Sequence, residues 1–443
     1  MSEAIQYRMR AASAAELVSD VEAAVAGGAL APGTPLPSVR RLASELGISP
    51  ATVAAGLAEL RRRGVVVSEP RRGTRIGLGP PIGSPRPLLP VPQGARDLSR
   101  GNPDPALLPD VAAILARCAP PTRLYGEPAA LAELSELARE QLRADGVPAD
   151  SLCVVSGALD GIERVLQARL RQGDRVVVEN PGYAALYDLL RAQGLALEPV
   201  RVDDRGIDPS SMRAALARGA RAVVITPRGQ NPTGAALDAD RASKLAAVLA
   251  DFPQALVIED DHLGPVAGSR LHSIVAGRER WAATRSVAKA LGPDLRLAVL
   301  AGDPQTVARV EGRQQCGPGW VSHILQTIVL ELWRDPEVQA GIARARDIYS
   351  ERRVHLLGCL ADHGVRAHGA SGLNVWIPVD EEASAIGGLM QRGWVLAPGA
   401  PFRLADAAPA IRATIATLAT AEAERLAADV AAVLAPGAGT RSG

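Results

Sequence analysis

A multi-domain chain is predicted: a mainly helical N-terminal block with a short β appendage, then a larger α/β body on a mainly parallel central sheet. Three observations predict it. Residues 1–78 hold two helical patterns around a glycine turn and then two short β-prone runs, residues 80–92 hold six prolines, and from residue 97 apolar strand-like runs alternate with helical ones. The 443 residues are 47% apolar and 22% charged, enough to bury a large core and to divide into two or three domains.

In the first block, Leu17, Val21 and Val25 recur at helical spacing within Ala14–Ala26, and Gly27-Gly28 stops the run. Ala31 to Pro37 is a rigid proline loop. Ser38 caps a helix through Leu46 that Gly47 breaks, and Ser49-Pro50 supplies an N-cap and a first-turn proline to a helix reaching about Arg63. Two helices joined by a short glycine turn form a helix-turn-helix. After Gly64, Val65–Val67 and Thr74–Ile76 flank Arg71-Arg72-Gly73, a two-stranded wing with a basic tip.

Residues 1–78 hold ten arginines against seven carboxylates, a surplus that permits a local nucleic-acid contact. The whole chain, with 49 basic against 48 acidic residues, carries no global field toward nucleic acid or membrane. Residues 79–96 read as a Pro-rich linker between a first domain at 1–78 and a body at 97–435, with 436–443 a flexible tail. Cys118, Cys153, Cys316 and Cys359 form no C-x-x-C pair and have no histidine at metal spacing, so neither a metal site nor a disulfide framework is expected, and a reducing cytoplasm fits. No apolar run reaches 18 residues, and a soluble protein that is not exported is expected.

In the body the expected strands are Leu152–Val155, Arg175–Val178, Ala222–Ile225, Ala255–Ile258 and Leu295–Leu300. Of the 49 basic residues only Lys244 and Lys289 are lysines. An amine can deprotonate and attack a carbonyl, whereas a guanidinium stays charged, so a lysine kept in an arginine-dominated chain points to chemistry. Lys289 follows an apolar, strand-like run, with Ser286 three residues before it and Arg296 seven after. Hydroxyl, amine and guanidinium are the groups that would fix a phosphorylated aldehyde.

Four other stretches join it. Ser156-Gly157-Ala158 follows a strand and opens a helix, so backbone N–H groups can meet a phosphate. Glu179-Asn-Pro-Gly-Tyr183 sets an aromatic after a turn, in a chain with only five tyrosines, five tryptophans and two phenylalanines. Thr226 to Gly234 contains Asn231-Pro-Thr-Gly. Val257-Ile-Glu-Asp260-Asp261-His262 ends a strand in acids, and a buried carboxylate is costly without a cation.

The N-terminal block resembles the GntR winged-helix domain in Gly28, Leu30, Pro32-Gly33, Leu36-Pro37-Ser38, Arg40, Leu42-Ala43, Leu46-Gly47, Ser49, Thr52-Val53, Leu60, Gly64 and Gly73-Thr74. The resemblance implies contacts to double-stranded DNA by Ser38, Arg40, Ser49, Thr52, Arg71, Arg72 and Gly73. Pro50 and Ala54 stand where that family often has arginine, which implies thinner base readout.

The body resembles the fold-type I aminotransferases, whose Ser-x-x-Lys-x-x-x-Pro-x-x-Arg segment is matched by Ser286 to Arg296. That resemblance implies pyridoxal 5'-phosphate as cofactor, held as an aldimine at Lys289. It implies that Ser156, Gly157, Ala158, Ser286 and Arg296 hold the phosphate, and that Tyr125, in Leu124-Tyr125-Gly126, reaches the phosphate of a neighbouring copy. By the same resemblance Tyr183 stacks on the ring, Asn231 meets the 3-oxygen, Asp260 pairs with the ring nitrogen and Arg412 clamps an effector carboxylate. His262 stands where the family usually has a tyrosine on the 3-oxygen, which brings a group that titrates near neutrality to that position. The remaining histidines, His272, His323, His355, His363 and His368, show no partner pattern.

A GntR head on an aminotransferase-like body resembles the MocR subfamily of bacterial regulators, and Asp97-Leu-Ser-Arg-Gly-Asn-Pro-Asp-Pro105 with the Asp-Asp-His variant is similar to members linked to vitamin B6 salvage. The resemblance implies a DNA-binding regulator that senses pyridoxal phosphate, a related vitamer or an amino compound, working as a head-to-tail homodimer. A working aminotransferase with an accessory head, and a body that binds a B6 vitamer without a Schiff base, are the alternatives.

Overall fold

A computed structural model describes residues 9, 11–27, 29–31, 33–62, 65–69, 73–77, 90–404 and 407–435. Arg71, Arg72, the tail at 436–443 and most of the Pro-rich stretch lie outside the described residues. The chain divides into two compact units, one of Met1–Arg86 with Leu170–Arg175 and Ala185–Leu197, the other of Pro87–Arg169, Val176–Ala184 and Glu198–Gly443.

In the head, α1 (Ala14–Ala26), α2 (Val39–Leu46) and α3 (Pro50–Arg62) begin and end where short-range chemistry directs. Ser13 Oγ caps α1 by accepting Glu16 N at 3.2 Å, and Glu16 Oε2 reaches back past the cap to accept Ala12 N at 2.8 Å. Ser38 Oγ accepts Arg41 N, and Gly47 ends α2 at a φ of 68°, which glycine reaches without strain. Ser49 Oγ accepts Thr52 N at 3.0 Å ahead of Pro50. Leu17, Val21, Leu42, Val53, Leu57 and Leu60 meet Val66 and Ile76 in one core. Gly56, inside α3, lets α1 approach: a Cβ there would stand 2.9 Å from the Leu17 side chain.

The wing is β1 (Val66–Glu69) against β2 (Gly73–Ile76), antiparallel, with Val66 opposite Ile76 and Glu69 opposite Gly73. The proline loop does more than the sequence reading expected. Leu36 N donates to Thr74 O and Ile76 N to Thr34 O, both at 2.8 Å, so the loop adds hydrogen-bonded rungs to β2.

In the body, β3 (Arg96–Asp97) precedes helices α4 (Val111–Leu115) and α5 (Ala132–Ala144). Then follow β4 (Leu152–Val155), α6 (Ala158–Arg169), β5 (Arg175–Asn180), β6 (Ala196–Asp203), β7 (Gly206–Ile207), β8 (Ala222–Ile225), β9 (Leu256–Asp261), β10 (Trp281–Ser286) and β11 (Ala298–Gly302). These last eight strands form one sheet in the order β4-β11-β10-β9-β8-β5-β6-β7. Strands β5, β8, β9 and β10 run parallel, and β11 is antiparallel to both its neighbours. Val176–Val178, Ala222–Ile225 and Leu256–Ile258 are wholly buried, as parallel strands covered on both faces must be. A smaller sheet of β12 (Asn374–Pro378), β14 (Ala397–Pro398) and β15 (Ala410–Thr414) carries Arg412, while β13 (Trp394–Val395) pairs with β3.

Two expected strands are corrected. The run at Leu295–Leu300 is interrupted: Pro293–Leu295 is a 3-10 turn, Arg296 takes a left-handed φ of 44°, and the strand starts at Ala298. Gly292-Pro293 makes a turn there despite the apolar residues that follow. The strand expected at Ala255–Ile258 runs from Leu256 to Asp261, so it extends through the acids expected at its end. All four cysteines are unpaired, and among the described residues no helix is long and apolar enough to cross a membrane.

Candidate functional site

Register brings the sequence motifs to one edge of the large sheet. Thr284 lies beside Asp260, Arg285 beside Asp261, Ser286 beside Ala298, and Ala298 beside Val155. The turns that leave β4, β9 and β10, and the turn that enters β11, therefore converge. They carry Ser156 to Ala158, His262, Lys289 and Arg296, at the strand ends where open α/β sheets bind ligands.

Lys289 sits in the short helix Ala288–Leu291, and its Nζ donates to the Gly101 carbonyl. Burial, helped by the nearby Arg412 charge, brings its proton affinity down to about 8. A larger fraction of this amine is neutral near pH 7 than of an ordinary lysine, which is what attack on an aldehyde needs. His262 is lowered to about 4, by burial first and the Lys289 charge second, so it is a neutral imidazole in the physiological range.

Asp260 and Asp261 are adjacent, both buried, and opposite in state. Alternation along β9 turns them to opposite faces. Asp261 receives Arg228 Nε and Nη2, both at 2.8 Å, and Arg285 Nε at 2.9 Å, and the two guanidiniums bring it down to about 2 against its burial. Asp260 has the Thr284 hydroxyl at 3.3 Å and no paired cation among the described residues; burial and the neighbouring Asp261 charge push it up to about 7. A buried carboxyl of this kind fits the protonated ring nitrogen of pyridoxal phosphate, which would be its missing cation.

Arg412, on β15, is 5% exposed. Its Nη1 donates to Asn231 Oδ1 at 2.8 Å, its Nη2 to Ser99 O at 2.5 Å, and its guanidinium lies 4.7 Å from the Phe402 ring centre. Burial lowers its proton affinity to about 10, and half-buried Tyr183 is close enough to oppose that shift. The turns that carry Tyr183 and Asn231 are tied together: Glu179 accepts Thr226 N at 3.1 Å and Gln230 Nε2 at 3.2 Å, and Gln230 also donates to Pro181 O.

At the other end, Gly157 takes a φ of 103°, and a Cβ there would stand 2.9 Å from Arg296 Nη2. Arg296 donates to Ser156 O at 3.2 Å, Ser286 Oγ accepts Ala288 N, and Ser156 N donates to Asp160 in the first turn of α6. Glycine at 157 leaves a cradle of backbone N–H beside a guanidinium, which fits a phosphate. Tyr125 does not join this group within the chain: it is 92% exposed and packs edge-on against Trp320 at 5.4 Å.

On the head, Ser38, Arg40 and Ser49 are exposed and Thr52 half-buried, with Ser49 and Thr52 hydroxyls 2.8 Å apart. Gly73 is exposed at a φ of 79°, with open space where a Cβ would go.

Sequence reasoning missed Ser99 and Gly101, which meet Arg412 and Lys289 through carbonyl oxygens, and Phe402, which backs the arginine. It also missed Arg228 and Arg285. Arg228 lies inside the Thr226 to Gly234 motif and Arg285 just before Ser286, but arginine is the common cation of this chain, so neither stood out. His368, read as having no partner pattern, pairs with Asp204 at 2.9 Å across 164 residues of sequence, which no local spacing reveals.

The aminotransferase class I and II family matches residues 96–430, and the bacterial regulatory proteins of the gntR family match residues 13–76. Among curated relatives, the vitamin B6 salvage pathway transcriptional repressor PtsJ of Salmonella typhimurium is 39% identical over 427 residues, covering 94% of this chain and 97% of its own. The HTH-type pyridoxine biosynthesis transcriptional regulator PdxR of Corynebacterium glutamicum is 32% identical over 259 residues, 56% of this chain and 55% of its own. Among solved structures, the α-aminoadipate aminotransferase LysN of Thermus thermophilus, complexed with N-(5'-phosphopyridoxyl)-L-leucine, superposes with a TM-score of 0.68 at 22% identity over 77% of this chain and 92% of that one. This last likeness shows the fold.

Proposed function

The chain belongs to the MocR subfamily, in which a gntR-type regulatory head precedes a class I and II aminotransferase body, and on that premise we propose that it is a DNA-binding transcription regulator. Its body binds pyridoxal phosphate at Lys289 and senses that cofactor, a related B6 vitamer or an amino compound. Control of vitamin B6 metabolism is the role that the names of its relatives support. Residues 1–78 act as the DNA-binding domain, 79–96 as the linker and 97–435 as the effector domain, in a cytoplasmic head-to-tail homodimer in which exposed Tyr125 serves a second copy.

The observation that carries the reading is the Lys289 amine, largely buried, lowered to about 8 and enclosed with neutral His262 and the Asn231–Arg412 pair. Pyridoxal phosphate supplies an aldehyde that condenses with an amine and a ring that withdraws electrons when its nitrogen is protonated. Asp260 would take its ring N–H, Asn231 and His262 would serve its 3-oxygen, and Tyr183 would stack on its ring. Ser156, Gly157, Ala158, Ser286 and Arg296 receive the phosphate, and Arg412 exchanges the Ser99 carbonyl for an effector carboxylate. On the head, Ser38, Arg40, Ser49, Thr52 and Gly73, with Arg71 and Arg72, meet the DNA backbone and grooves. A ligand changes DNA affinity only through its different affinity for the DNA-competent and incompetent states, so the body must rearrange on loading.

The test is fluorescence anisotropy on DNA upstream of the chain's own gene, at fixed salt, with apo protein, cofactor-saturated protein and Lys289→Ala. Separate wild-type curves with a variant that does not respond support the regulator; no DNA binding in any form sinks it. The Asn231–Arg412 arrangement also suits a working aminotransferase. Rapid spectral half-reactions with many amino acids would favour that second reading.

A further inference from the structure

We infer that Arg228 and Arg285, bridged by Asp261 on the face of the sheet turned away from Asp260, are positioning residues for the cofactor ring. They hold the turn bearing Asn231 in register with the strand that ends at Ser286 and leads into the short helix of Lys289, and they set the charge that Asp260 experiences. The inference deepens the proposed function and rests on its placement of the ring against Asp260.

The geometry is a closed circuit, buried at Arg228, Asp261 and Arg285 and partly exposed at Asp145. Arg228, in the turn that leads to Asn231, grips Asp261 with two parallel hydrogen bonds and donates to Ser269 O at 3.2 Å. Arg285, one residue before Ser286, shares Asp261 Oδ2 at 2.9 Å and reaches Asp145 at 2.6 Å and Gln141 O at 3.3 Å. Asp145, at the end of α5, also takes Arg228 at 3.4 Å. The two arginine side chains are 6% and 7% exposed and that of Asp261 is 5% exposed, so removing one partner strands a charge in the interior. The fork of arginine fixes direction as well as distance.

Two arginines against two aspartates leave this circuit neutral, one residue away from a carboxyl that has no cation of its own. The other titratable groups near Asp260 are Glu179 on β5, whose proton affinity the Asp260 charge raises; Glu259, just before it on β9, which burial pushes up to about 7 while the Asp261 charge raises it and Arg285 lowers it; and His262, just past the end of β9, which the Asp261 charge raises against its burial. None of these three is itself substituted in the variants below.

The experiment uses full-length protein loaded with pyridoxal phosphate and follows the pH at which the bound cofactor's absorbance changes, beside cofactor affinity and melting temperature. Arg228→Gln and Arg285→Gln remove positive charge and should move that midpoint up. Asp261→Asn removes negative charge and should move it down, each by about one pH unit. Arg228→Lys keeps the charge and loses the fork: its midpoint should stay with the wild type while affinity falls about tenfold. A merely structural role would lower melting temperature in all four and leave every midpoint in place, which overturns the inference while wild-type loading still supports the function. The same holds if Arg228→Lys shifts as Arg228→Gln does. Should Asp261→Asn not fold, the two glutamine variants against the lysine variant decide the question alone. If borohydride fixes no cofactor at Lys289 of the wild type, both readings fall.

Discussion

The head and the body use the same amino acids in two different ways. In the head, each boundary is set by a residue next to the element it bounds: Ser13 and Gly27 for α1, Ser38 and Gly47 for α2, Ser49 for α3. In the body's site, the charged side chains find partners far away in sequence: Lys289 finds Gly101, Arg412 finds Ser99 and Asn231, and Arg228 finds Asp261. The head is specified by local hydrogen bonds near water, where each is worth little. The site is specified by charges in a dry interior, where each error is costly. Substitutions should therefore have graded effects in the head and all-or-none effects in the site.

The largest effect should come from Lys289→Ala. No other lysine lies in the site, since Lys244 pairs with Asp240 on the exposed face of its helix. Cofactor fixed by borohydride should vanish, and the response of DNA binding to pyridoxal phosphate with it, while apo DNA affinity stays as in the wild type. A fixed label surviving in the variant would show that the site tolerates loss of its central group and would erase the contrast.

Next is Leu57→Ala in the head core, where Leu57 is 2% exposed among Leu17, Val53 and Leu60. The truncation costs roughly 2–5 kcal/mol, a large share of the stability of so small a domain. The expected result is a lower-melting transition and lost DNA binding, with cofactor uptake by the body unchanged. If cofactor uptake falls in parallel, the two regions are not separately specified.

A third test uses pH to set Asp260 against Asp261. Asp260 is raised to about 7, so between an ordinary carboxylate value of about 4 and that pH the folded apo protein holds a proton the unfolded chain has released. Its contribution to stability is full at the acid end and is lost as pH rises. Asp261 is lowered to about 2, so its contribution is present above about pH 4 and is lost as pH falls toward 2. Urea unfolding of apo protein between pH 5 and 7.5 should show Asp260→Asn removing a downward slope of up to about 1.4 kcal/mol per pH unit. An unchanged slope would mean that Asp260 is not the protonated carboxyl of the site.

The sequence reading reached the head almost to the residue, because Ser38, Gly47, Ser49 and Pro50 act on atoms within four positions. It reached the body's strands where apolar runs are unbroken, and it failed at Leu295–Leu300, where Gly292-Pro293 turns the chain inside an apolar stretch. For the site it named Lys289 because lysine is rare here. It passed over Arg228 and Arg285 because their residue type is common and their partners, at 145 and 261, lie far away in sequence.

The smallest effect separates two jobs held by one hydroxyl. Ser49 caps α3 through Thr52 N at 3.0 Å and is also exposed at the end of the helix that would meet DNA. Ser49→Ala removes the cap and should cost the head about 1 kcal/mol. Ser49→Asn restores an equivalent cap with a different shape and no charge, so the melting temperature of the head should return to that of the wild type. If DNA affinity at fixed salt returns with it, Ser49 serves the fold and the hydroxyl is not read by the operator. If affinity stays low while stability recovers, the hydroxyl itself touches DNA, and at this position the head, like the site in the body, depends on a partner that its local sequence does not contain.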